Sequence, residues 1–261
     1  MTRRTGLRAT ILAALCAAAG MAAPPMKTIA SMDLSKPFAT RAPWHFTARQ
    51  GPSVSDTPSG DTEDGAITLC ISKDGGRTCQ PSLEGLLTRD DKVKDDFFQP
   101  HYLAAPTIVH PTDKIALLKI EVSSLHAGNG DYLHALALLS YDRARDGFVP
   151  VYRHFVGRNN NQEIRYVPAG PLRGAVISAE PTQDAPFGYW VTVSRLSGAA
   201  YRQVVRYRSG TRYGDNNPLA VIDAEMPAIQ QRLGLWRPGQ PLPVPAKGCA
   251  KPHLVKSVLW C

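Results

Sequence analysis

The stretch Ala66–Ser82, AITLCISKDGGRTCQPS, decides how the rest of the chain is read. Ile67, Leu69 and Ile71 alternate with Thr68, Cys70 and Ser72, the period-two pattern of a strand with one buried face. Asp74-Gly75-Gly76 supplies the positive φ angles of a tight turn, so a hairpin with a polar return strand is predicted. Cys70 and Cys79 would face each other across it. A chain organised around such a unit is expected to be all-β.

The spacing Ser72-x-Asp74-x-Gly76-x-Thr78 resembles the Asp-box (BNR-type) hairpin of sialidases and other β-propellers, with Cys79 where that family usually has Trp. The resemblance implies that the Asp74 side chain ties the turn together and that Ser72, Asp74, Gly76 and Thr78 build structure rather than perform chemistry. Sialidases of this kind also use an arginine triad, a Tyr-Glu nucleophile and an acid Asp, announced by an FRIP-like strand near the N-terminus. That strand motif is absent and the chain is short for six blades, so only the turn residues carry over.

The N-terminus reads as an export signal. Arg3, Arg4 and Arg8 precede the Ala-rich apolar run Ala9–Ala19, and small residues lead to a cleavage site near Gly20-Met21-Ala22. The run is too short for a stable membrane anchor, so no transmembrane segment is expected after cleavage. Thr2–Arg8 loosely resembles a twin-arginine signal, with Gly6 in place of the usual bulky residue. Cys16 follows Leu15 rather than a small residue, which fits a lipoprotein box poorly. Residues 1–22 are therefore assigned to a signal peptide, and the mature protein to the periplasm or the exterior.

Four cysteines remain, in two local pairs: Cys70 with Cys79 and Cys249 with Cys261. An even count in an exported chain points to disulfides. Three connectivities are open, and the local one is favoured by the hairpin. Structural zinc would prefer CxxC spacings, which are missing. The formal charge is +8; without the leader arginines about +5 remains, a mild preference for anionic partners. Export and this modest excess argue against nucleic acid.

Residues 23–64 are rich in Pro, Ser, Thr and Gly and read as an extended arm, with Trp44-His45-Phe46 packed onto the body. An antiparallel β domain is expected over 65–236. Ser82–Leu87 is a short helix candidate, and charged Arg89–Asp96 a solvated loop. Strands are predicted at Ile115–Val122, Leu133–Tyr141, Phe148–Val156, Glu163–Val167, Ala175–Ala179, Tyr189–Leu196 and Tyr201–Tyr207. Leu133–Tyr141 is apolar on both faces, as for a strand covered on both sides. Tyr132–Asn161 parallels Phe187–Asn217 at an offset of about 55 residues, near the size of one four-stranded blade. The expected architecture is thus propeller-like, or a meander of hairpin units of about 50 residues, with a β-sandwich as the alternative. One short helix is predicted at Met226–Leu233, with Pro227 in its first turn and Gly234 closing it. Residues 237–261 read as a Pro-rich linker and a strand, His253–Trp260, stapled by Cys249 and Cys261.

Catalytic signatures are missing: no GxSxG, HExxH, P-loop, GxGxxG or EF-hand loop. No catalytic residue, metal or cofactor is assigned. Asp131 and Asp215 sit in Gly/Asn-rich turns without the alternating carboxylates of a strong calcium site. Glu163 with Glu180 could serve glycoside hydrolysis, although no spacing selects that pair. His101, His110, His126, His134 and His154 lack a His-x-His arrangement and read as ordinary packed or surface residues.

The suggestive feature is a basic, aromatic strand. Simple alternation places Tyr201, Gln203, Val205 and Tyr207 on one face and Arg202, Val204, Arg206 and Arg208 on the other. Arg195 on the preceding strand, with Arg153, Arg158 and Arg212 near strand ends, would extend the patch. Arginine and tyrosine are enriched at interfaces; the alternative is that these arginines keep an outer strand soluble and block edge pairing. The expectation is an exported, non-catalytic binding protein of a bacterial envelope with a protein or glycan partner, such as a periplasmic inhibitor or immunity protein against a cell-wall or lipid hydrolase. The alternatives are a glycan-acting hydrolase on a short propeller and a structural envelope component.

Overall fold

The computed structural model describes residues 25–55, 62–88, 98–127, 130–157, 161–245 and 249–261; the expected signal peptide, the 89–96 loop and Arg158 lie outside them. The described residues form a series of antiparallel sheets, none of them closed into a barrel. The first sheet joins β1 (Lys27–Asp33), β2 (His45–Gln50) and β5 (Ile67–Ser72) in the order β1-β2-β5. A four-residue helix, α1 (Ser35–Phe38), links β1 to β2, and a small ribbon of β3 (Val54–Ser55) and β4 (Thr62–Glu63) follows. Residues 27–50 are thus a strand-helix-strand unit rather than an extended arm. β1 is an outer strand, exposed along most of its length, whereas Trp44, Phe46 and Ala48 are buried as a packed cluster requires.

Two local expectations near the opening stretch are corrected. Residues after Ser72 form turns, and the return strand is reduced to a bond from Gln80 N to the Ile71 carbonyl, 2.8 Å. Ser82–Leu87 is a turn rather than a helix: Gly85 takes φ 65° while Leu83, Leu86 and Leu87 plug the core from irregular backbone. The local disulfides are present, Cys70–Cys79 with Cα atoms 5.0 Å apart and Cys249–Cys261 at 4.8 Å.

The second sheet is built from β6 (Tyr102–Leu103), β7 (Thr107–Thr112), β8 (Ile115–Ser123), β9 (Leu133–Asp142) and β10 (Gly147–Gly157), with β8, β9 and β10 a meander. β9 is covered on both sides. Ala135, Ala137 and Leu139 pack with Phe46, Ile71 and Leu69 of the first sheet. Leu136 and Leu138, one residue out of phase, pack with Ile164, Tyr166 and Val176 of the third. That third sheet is a four-stranded meander of β11 (Glu163–Tyr166), β12 (Val176–Pro181), β13 (Gly188–Ser197) and β14 (Ala200–Arg212). The two halves of the faint repeat, β9–β10 and β13–β14, are the last hairpins of successive sheets. Each carries a bulge in its second strand, between Pro150 and Tyr152 and between Gln203 and Val205.

The far face of the third sheet is capped by α2 (Val221–Ala224) and α3 (Met226–Arg232), with Val221, Ile222 and Ile229 buried against Ile177, Val191 and Val193. The helix expected at Met226–Leu233 is α3, and α1 and α2 are two further short helices. The predicted final strand is a hairpin, β15 (His253–Val255) and β16 (Val258–Trp260), whose two-residue turn is Lys256-Ser257. Val258 and Leu259 are buried, and Asn217 Nδ2 donates to the Leu259 carbonyl at 2.9 Å. Among the described residues no helix is long and apolar enough to cross a membrane.

Asp146, in the β9–β10 turn, joins the first two sheets. Its carboxylate accepts from Tyr141 Oη at 2.6 Å, Lys73 Nζ at 2.9 Å and Trp44 Nε1 at 3.1 Å. These donors, Tyr141 foremost, then Lys73 and Trp44, hold its pKa down to about 2. An Asp with a folded pKa below its unfolded value of about 3.9 stabilises the fold above that value and loses the contribution as pH falls through the folded value. Asp146→Asn is expected to lower the melting temperature at neutral pH. It should also shrink the further loss seen in the wild type between about pH 4 and pH 2, measured by thermal denaturation at each pH.

Candidate functional site

The turn after β5 has the geometry its residues imply. Asp74 Oδ1 accepts from Thr78 N at 3.0 Å, and Ser72 Oγ accepts from Gly76 N at 2.7 Å. Bonding from the Thr78 backbone and side chain lowers the Asp74 pKa. Gly75 and Gly76 take φ 74° and 88°, the left-handed region open to glycine. All four residues are engaged within the turn.

The arginines of β14 divide between two faces. Val193 pairs with Val205 but Ser194 pairs with Gln203, so Val204 is an extra residue and the alternation changes phase there. Arg202 lies opposite Arg195 on the face shared with Val193, whereas Arg206 and Arg208 lie opposite Thr192 and Trp190 on the other. The single arginine face expected from alternation is therefore corrected. Arg206 sits 4.8 Å over the Trp190 ring. Arg195 donates to the Pro171 carbonyl at 3.0 Å. Arg208 grips the 182–187 loop through the carbonyls of Asp184 and Pro186, at 2.5 and 3.0 Å, and the Asp184 carboxylate at 3.2 Å. Arg202 is exposed.

Tyr207 and Arg208 also line a cleft of about 530 Å³ between β14, α3 and the C-terminal hairpin, together with Glu225, Gln231, Arg232 and Lys256. Its floor is an internal network. Glu225, 1% exposed, accepts from Thr211 N and Thr211 Oγ1 at 2.7 Å each and from Tyr207 Oη at 2.9 Å. Burial, then the charge of Glu225, pushes the Tyr207 pKa far up, so the phenol stays a donor. With its carboxylate satisfied from within, Glu225 leaves the walls cationic. The Arg232 guanidinium stacks 3.9 Å over the Tyr207 ring, and among the described residues neither Arg232 nor Lys256 pairs with a carboxylate.

The hairpin turn carries its own signal. Lys256 and Ser257 both have positive φ, 50° and 74°, a pair of positions that Asn-Gly fills with less strain. Gly210 lets this hairpin approach, since a Cβ there would lie 2.7 Å from Val258 Cγ2.

The remaining candidates are separately occupied. Glu163 pairs with Ala179 across the ladder, so its side chain and that of Glu180 leave opposite faces and cannot flank one bond. Glu163 instead accepts from Ile222 N at 2.5 Å and from Arg165 at 2.9 Å, while Arg165 also holds Asp223 at 2.6 Å. Glu180 is 3.0 Å from His154 Nε2. His101 is buried against the Asp64 carbonyl, His126 packs between the rings of Tyr102 and Tyr132, and His134 meets Ser123 Oγ. Asp215 accepts from Arg212 N and Asn217 N, a turn function. Among the described residues no group of three His, Cys, Asp or Glu side chains is placed to hold a metal.

Comparison with known proteins found no family model, curated protein or solved structure that matches this chain. The likeness to the Asp-box hairpin therefore stays a matter of one turn.

Two substitutions test this geometry. Tyr207→Phe leaves one Glu225 oxygen without its partner and is expected to cost about 1–3 kcal/mol in urea denaturation. Arg208→Ala is expected to speed exchange of the Thr182 and Gly188 amides, which close the neck of the 182–187 loop, by at least about tenfold while the β9 amides keep their wild-type protection.

Proposed function

We propose that this chain is an exported, non-catalytic binding protein of the cell envelope that engages an acidic protein partner through the cleft of Tyr207, Arg232 and Lys256. One observation carries the reading: two cations that have no carboxylate partner among the described residues line one cleft, Arg232 stacked on the Tyr207 ring and Lys256 presented from a turn whose backbone suits its residues poorly. Strain of this kind is maintained where surrounding structure and function require it. Arginine stacked on tyrosine is also well suited to interfaces, since it buries area while keeping directional donors.

A hydrolase of cell-wall glycans is a partner class that fits this surface. Such enzymes act with paired carboxylates in an open groove, and a cationic, aromatic probe complements that charge. An inhibitor or immunity protein would thus work by occupying the acidic groove. The two disulfides suit an oxidising compartment.

Capture from a periplasmic extract, with the mature chain as bait, tests the proposal. The wild type is expected to enrich one acidic partner, more weakly as salt rises. Arg232→Glu and Lys256→Glu should each weaken that partner by roughly thirtyfold or more, with cooperative unfolding retained in both variants. Equal capture by the double variant would contradict the assignment of this cleft.

A further inference from the structure

We propose that a second, aromatic cleft at the end of the third sheet is a carbohydrate site that takes a pyranose ring of a neutral glycan. β11 and β13 begin at this end and β12 and β14 finish there, and between them lies a cavity of about 300 Å³. Phe187 and Tyr213 wall it, the buried Tyr189 also lines it, and Gln162 and Gln183 contribute amide groups, while the Thr182 hydroxyl is taken up within its own loop.

Phe187 and Tyr213 are each 60% exposed, the highest values among the large apolar side chains described. Burying a ring of this size contributes roughly 1.5–3 kcal/mol to folding, and here that stabilisation is largely forgone. Neither ring is carried on loose backbone. Thr182 N donates to the Gly188 carbonyl at 2.9 Å, and Gly188 N donates to Thr182 Oγ1 at 3.0 Å, closing the neck of the loop that bears Phe187. Arg208 holds the same loop from outside through Asp184 and Pro186. Beside Tyr213, Asp215 accepts from Arg212 N at 3.1 Å and from Asn217 N at 3.0 Å. Rings fixed in this way present binding area at little ordering cost.

The lining selects the ligand. It contains no Lys, Arg, Asp or Glu side chain, so a charged ligand finds no counter-charge. Amides offer both donors and acceptors, while aromatic faces attract the weakly positive edge of C–H bonds. A pyranose has this dual character, with C–H groups across one face and hydroxyls around its rim. The site is separate from the basic cleft, whose Arg232 and Lys256 take no part in it, and it does not depend on what fills that cleft.

The test is an NMR titration of the mature full chain with two probes, the β-1,4-linked trimers of N-acetylglucosamine and of glucose. At least one is expected to bind saturably, with shift changes centred on Gln183, Phe187 and Tyr213. Phe187→Ala and Tyr213→Ala should each weaken binding about tenfold, and Lys256→Glu should leave it unchanged. Both side chains are largely in solvent, so the variants should keep the wild-type melting temperature. The wild-type shift map also locates the site without any substitution. Failure of both trimers to bind, shift changes confined to the basic cleft, or wild-type affinity in the double variant would overturn the proposal.

Discussion

Burial of β9 on both faces is the constraint on which the rest of the structure depends. Successive side chains of a strand leave opposite faces, so Ala135, Ala137 and Leu139 serve one interface and Leu136 and Leu138 the other. A slip of one residue would exchange the two sets. It would drive leucines into a space fitted to alanines beside Phe155 and Tyr141. One strand thus sets the order in which the first and third sheets pack against the second.

Stacking sheets without closing them leaves outer strands, and β14 is the one that borders the basic cleft. Among the described strands it pairs only with β13. An exposed edge of this kind invites pairing with another chain, and charge and bulges are common defences. β14 carries both: arginines at 202, 206, 208 and 212, and the extra residue Val204. The helices and the C-terminal hairpin cover part of what remains, and the cleft floored by Glu225 lies where that cover stops. The arginine-rich strand thus carries both an edge defence and one wall of the cleft proposed for recognition.

Much of the fold was legible in the sequence. Seven strands from Ile115 to Tyr207 follow from apolar and β-branched runs between turn signals, and the double-sided burial of β9 from its unbroken apolar run. The turn at Asp74 and the local disulfides follow from residue spacing. Strands β1 and β2 were hidden because β1 is exposed on most of its length and its sequence, KTIASMD, has no clear period. The C-terminal hairpin was hidden because Lys256-Ser257 lacks the Gly or Asn that usually marks two positive φ angles. At the candidate site, alternation placed Arg202 beside Arg206, and the bulge at Val204 separates them. Bulges leave little trace in composition. Tyr207, Arg232 and Lys256 come from three segments that only tertiary packing unites, so no spacing could have found them together.

Native-state hydrogen exchange of the β9 amides tests the central claim most directly. If β9 is the shared middle of the stack, Ala135–Leu139 should exchange only through global unfolding, with protection matching the free energy measured by denaturant. Exchange of those amides through local opening, at rates like those of the outer strands β1 and β14, would contradict it.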